Sequence, residues 1–183
     1  MAKEISLASN NAAVLAVRAG SDAAGFGALA EFLDQLARKT IHASDAINKQ
    51  AMVISKLTST VVKTQTAQQH FERAFDKGEG AEYLDSLQTK YSDIKNEVTN
   101  ETEHIESLVR HLVRELEDLK QELEVGKVLA SMSLVEASQA DKAYTNQLSD
   151  NANNISSAIN RIESNVGRAL KLIATGRSRG AKI

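Results

Sequence analysis

Proline does not occur anywhere in the 183 residues. It is the residue that most strongly interrupts a helix, so its absence leaves long helices unobstructed. Cysteine is also missing, which excludes disulfides, thiol nucleophiles and thiolate metal sites, and suits the cytoplasm. There is no tryptophan, and aromatics make up only 4% of the chain, low for a globular enzyme with a large pocket. No stretch approaches the ~18–20 consecutive apolar residues of a membrane span. Met1-Ala2-Lys3-Glu4 is not followed by the apolar run of a signal peptide, so no leader is expected. Neither sign of charge dominates: 22 Lys and Arg are interspersed with 24 Asp and Glu, for a net charge of −2. That balance argues against nucleic acid as a main partner. What remains is rich in Ala, Leu, Glu, Lys and Gln, all good helix formers. The length suits one domain with a real core.

Apolar spacing divides the chain into four helices. The first is expected over about 3–19, with Ile5, Ala8, Ala12, Leu15 and Ala19 facing inward. The second, about 26–75, carries the clearest heptads. Phe26, Leu33, Thr40, Ile47, Ile54, Val61, Gln68 and Phe75 form one row, and Leu29, Leu36, Ala43, Gln50, Leu57, Thr64 and Phe71 the other. The polar members Thr40, Gln50, Thr64 and Gln68 read as register control. Asp76-Lys77-Gly78-Glu79-Gly80 reads as a turn. The third helix, about 81–124, has Leu84, Leu87, Tyr91, Ile94, Val98, Ile105, Leu108, Leu112 and Leu119 in its seam, with Glu101 and Glu115 as charged interruptions. A turn is expected between Glu124 and Ser133, on Gly126 and a Ser133–Glu136 capping box, against a continuous kinked helix. The fourth helix, about 133–175, shows Leu148, Ile155, Ile159, Ile162, Val166, Ala169 and Ile173 on one face. Short turns between long helices imply an all-α, antiparallel long-helix bundle or coiled coil over 1–176, with a flexible basic tail at 177–183. The short first helix leaves an apolar groove, which implies a homodimer or higher oligomer.

The stretch from Asn11 to Thr40 is the most informative. Ala12 to Ala19 favours helix, and Gly20 suits the left-handed residue that ends one. Ser21 or Asp22 can cap the next helix, and Gly25 and Gly27 bracket Phe26. Local physics therefore expects a tight helical hairpin lined with small residues, with one phenylalanine beside its tip.

The order of residues in that hairpin resembles the tip of the cytoplasmic signalling domain of methyl-accepting chemotaxis proteins. Asn11, Ala12, Ala13, Ala16, Arg18, Ala19, Gly20, Gly25, Phe26, Ala30, Leu36, Ala37 and Thr40 fall on the family pattern without a gap, over about a sixth of the chain. Leu15 and Ser21 stand where the family has glutamates, Ala28 where it has valine, and Phe32 and Asp34 where it has the Glu and Arg of an E-V-R triplet. The resemblance implies a hairpin that contacts other receptor tips, the adaptor CheW and the histidine kinase CheA. Carried to this sequence, the contact set is Asn11, Leu15, Arg18, Gly20, Ser21, Gly25, Phe26 and Ala28. The expected function is that of a soluble, cytoplasmic signalling or interaction protein. The alternatives are a scaffold without kinase coupling and a metal-binding bundle.

Little else carries chemistry. Glu101-Thr102-Glu103-His104 has the Glu-x-x-His spacing of di-metal bundles, but in a single copy, with His111 seven residues on. His42 and His70 sit among polar residues, and Gln68-Gln69 only loosely resembles a methylation pair. With no phosphate loop, nucleophile elbow or paired-carboxylate motif, the chain does not read as an enzyme, and no cofactor or metal is expected.

Overall fold

The computed structural model describes residues 2–20, 24–78 and 84–180, all but a few of them helical. Four helices follow one another: α1 (Ala2–Ala19), α2 (Ala24–Lys77), α3 (Leu84–Gln139) and α4 (Lys142–Gly180). No cis peptide bond occurs among these residues. The expected turn at Asp76–Gly80 lies partly outside them: Asp76 and Lys77 close α2, and Gly78 donates its N–H to the Ala74 carbonyl at 2.9 Å. The end of the expected tail, residues 181–183, lies outside them altogether, and α4 reaches Gly180.

The third boundary differs from the sequence expectation. α3 runs through Gly126 and Ser133 to Gln139, and α4 begins at Lys142, so there is no turn between Glu124 and Ser133. Gly126 is buried, and a Cβ there would collide with the Leu36 Cδ2 and lie 3.1 Å from the Ile159 Cδ1. Its missing side chain lets three helices approach, which is a packing role rather than a break. Ser133 is fully buried and donates its hydroxyl to the Leu129 carbonyl at 2.9 Å, one turn back along its own helix. The real start signal is Asp141, whose Oδ1 accepts the Ala143 N–H at 3.1 Å as an N-cap does.

The chain gathers into two compact units, Met1–Ile47 with Val113–Ile183, and Asn48–Leu112. The first contains α1, residues 24–47 of α2, 113–139 of α3, and α4. Its core follows the three-and-four spacing closely. α1 contributes Ile5, Ala8, Ala12 and Ala16; α2 contributes Phe26, Ala30, Leu33, Leu36 and Ala37; α3 contributes Leu116, Leu119, Leu123, Ala130 and Ala137; α4 contributes Leu148 through Val166. Ala16, rather than the larger Leu15, takes the inward place on α1, and Leu15 is half-buried. Polar ties link the helices. Glu4 pairs with Arg161, Ser6 donates to the Asp34 Oδ1 at 3.0 Å, Lys39 meets Glu122 at 2.6 Å, and Lys127 meets Glu163 at 2.6 Å.

The second unit consists of residues 48–77 of α2 and 84–112 of α3. Its seam is the expected heptad row, but among its described residues only Val61, Ile94 and Leu112 are buried apolar side chains. Ile54, Leu57, Phe71, Phe75, Tyr91, Val98, Ile105 and Leu108 are half-buried. Phe75 meets Tyr91 edge-on at 5.3 Å, and the Tyr91 hydroxyl donates to the Glu72 Oε1 at 3.0 Å. That hydrogen bond, with desolvation, raises the phenol above its ordinary pKa. The polar interruptions divide by role. Thr40 and Thr64 donate to carbonyls of their own helix, and Gln68 donates to Glu72, whereas Gln50 Nε2 lies 3.0 Å from His111 Nδ1 on the other arm. Gln50 and Gln68, which also hydrogen-bonds Tyr91, thus both reach the facing arm.

Candidate functional site

The hairpin between α1 and α2 is built from small residues closing on one ring. Gly20 ends α1 with φ +68°, the left-handed conformation that favours glycine. Nothing lies within 4 Å of where its Cβ would be, so the backbone conformation and not space asks for glycine. Phe26, only 1% exposed, packs with Ala12, Ala16 and Ala30 of the hairpin and with Ala137, Ala140 and Leu148 from the α3–α4 turn. Leu15 and Tyr144 lie against this cluster. Alanines leave the volume that one phenylalanine fills, and the ring braces the hairpin on the second turn of the same chain.

The expected contact residues therefore separate into two faces. Phe26 faces inward and Leu15 is half-buried, while Asn11, Arg18, Gly20 and Ala28 are exposed. Ser21 lies outside the described residues, as do the surroundings of Gly25. A groove of about 440 Å³ runs between α1 and α4, where Asn11, Val14, Leu15 and Arg18 face Gln147, Asp150, Asn151 and Asn154. A second, of about 520 Å³, lies between α1 and α2 and is floored by Ala13, Ala16, Gly27 and Ala30. On the outer side of α1, Leu7, Val14 and Val17 are 65%, 52% and 83% exposed.

One feature here was not singled out from sequence. Asn151, buried in α4, donates its side-chain N–H to the Ala8 carbonyl at 2.7 Å and so fixes α1 against α4. Its signal was its place in the inward row with Leu148 and Ile155. Asp34 accepts from Ser6 and from the Arg38 Nε at 2.8 Å. The bond from Ser6 ties α1 to α2.

The Lys127–Glu163 pair, between α3 and α4 of the first unit, is structural in character. Lys127 lowers the Glu163 carboxyl below its ordinary pKa through a direct hydrogen bond, and Glu163 raises Lys127 in return. Among the described residues, no three His, Asp or Glu side chains are grouped so as to hold a metal ion. His111 is engaged with Gln50. No described helix is long and apolar enough to cross a membrane. Set against protein-family models, curated proteins and solved structures, the chain matches none.

Proposed function

We propose that this chain is an antiparallel helical bundle with a chemoreceptor-like hairpin, acting as a soluble, cytoplasmic signalling component. It docks the outward face of that hairpin on CheW- or CheA-type proteins or on receptor tips, and it self-associates. The observation that carries the reading is the sorting of the hairpin residues. Ala12, Ala16, Phe26 and Ala30 are consumed inside the chain, while Asn11, Arg18 and Ala28 remain outside beside exposed Val14 and Val17. An exposed guanidinium next to apolar surface is well suited to pairing with a carboxylate or stacking on a partner. The antiparallel arrangement is supported by the ties between α1 and α4, where Glu4 meets Arg161 and Ala8 meets Asn151.

The test is titration of wild type and Arg18→Ala with adaptor and kinase, alongside melting curves. The expected result is binding that weakens by ~1–3 kcal/mol in the variant, with an unchanged melting midpoint. The scaffold reading draws on the inward packing of Phe26 and the internal pairing of Asp34. It takes over if wild type binds neither protein and does not join receptor clusters in cells.

A further inference from the structure

The second unit carries a charge pattern that the hairpin reading leaves unused. On its α2 arm, Lys49, Lys56, Lys63, His70 and Lys77 recur at steps of seven, and all five are exposed. None of the four lysines has an ion-pair partner among the described residues. Arg73 adds a cation, and the only acids of this arm, Glu72 and Asp76, come near its end. The α3 arm carries Lys90, Lys95 and Arg110, the last paired with Glu106 at 3.4 Å, but is acidic between Asp93 and Glu106. Asp93, Glu97, Glu103 and Glu106 are exposed, and no lysine or arginine occurs between Lys95 and Arg110. Glu101 lies in the seam with its Oε2 buried and without a hydrogen-bond partner. Apolar surface is uncovered here too: Met52, Val53 and Val62 are 67%, 46% and 56% exposed.

The period of the lysine row narrows the choice of partner. Steps of seven are about 10.5 Å apart. On a straight helix such a row drifts by ~20° per step relative to a flat surface, but it keeps a constant bearing toward a neighbour in the same supercoil. The row is therefore suited to a helix rather than to a membrane. An acidic stretch, Asp93 to Glu106, is present in every other copy of this chain, on its α3 arm. We propose that two copies associate through their second units, the α2 lysine row of each lying along the acidic α3 arm of the other. A two-fold arrangement makes this contact twice. The proposal rests on the self-association put forward above, not on the hairpin tip.

Two charge-reversed forms of the full chain test it, K49E/K56E/K63E and D93K/E97K/E103K, each checked for helicity and melting and then weighed by light scattering. Wild type should be dimeric in low salt and dissociate as salt screens the pairs. Each variant alone should bind itself at least ~10-fold more weakly, and an equimolar mixture should recover the dimer. A variant that dimerises like wild type overturns the surface, as does a mixture that stays monomeric. A monomeric wild type overturns self-association itself, while adaptor and kinase titration reads the hairpin separately. If a variant does not fold, the wild-type dimer decides: a dissociation constant unchanged between about 50 and 500 mM salt overturns the proposal, because exposed ion pairs must weaken over that range.

Discussion

The two units use the same apolar spacing and obtain different amounts of burial from it. In the first, Leu33, Leu36, Leu123 and Ile155 are at most 1% exposed. In the second, Ile54, Leu57, Ile105 and Leu108 occupy equivalent heptad positions and are only half-buried. The difference is the number of neighbours. Ties connect α1 to α2 and α4, and α3 to α2 and α4, in the first unit, so each helix is covered on two sides. The second unit has two arms, so each seam residue is covered from one side. A heptad pattern thus sets which face turns inward, and the count of packed helices sets how completely that face leaves water.

The largest expected effect separates the two directly. Ile155→Asp places a carboxylate at a fully buried position and should cost several kcal/mol, on the order of the whole stability of a domain. The same change at half-buried Leu57 should cost only ~1–2 kcal/mol in the monomer, because the carboxylate can reach water. Equal losses in denaturant titration would show that the second unit is as well covered as the first. A cost at Leu57 that grows with protein concentration would instead point to a second copy on that seam.

A smaller contrast lies within the first unit. Gly126→Ala must displace Leu36 and Ile159 in a filled core and should cost ~1–2 kcal/mol, even after the gain in helix propensity. Gly27→Ala brings a methyl to an ordinary 3.8 Å from the Ala16 Cβ, so it should be neutral or stabilising by up to ~1 kcal/mol. Thermal melts should place Gly126→Ala below wild type and Gly27→Ala at or above it.

The smallest effect concerns Lys127 and Glu163. Glu163 has a lowered pKa when folded, so its contribution is present above its unfolded pKa and is lost as pH falls through the folded one. Lys127 has a raised pKa, so its contribution is present at neutral pH and is lost only as pH rises through that higher value. The stability difference between wild type and Lys127→Met should therefore be steady near neutrality and shrink on the acid side of the ordinary carboxylate range. A difference that stays constant into acid would assign the effect of the substitution to packing of the lysine stem.

Much of this protein could be read from the residue order alone. The all-helical character follows from the missing proline and the abundance of strong helix formers, and the inward faces follow from steps of three and four. Gly20 was legible as a helix end because left-handed backbone is a local property. Phe26 was legible as important, but its direction was not, because a ring between glycines can turn either way until the α3–α4 turn supplies Ala137, Ala140 and Leu148 around it. Gly126 shows the limit most clearly. A glycine in a helical stretch weakens the helix slightly wherever it occurs, and that cost is the same whether it marks a turn or a close crossing. Only the arrival of Leu36 and Ile159, 90 residues before it and 33 after, makes the absent side chain a requirement of packing. The break falls instead at Asp141, where a side-chain cap satisfies an exposed N–H group.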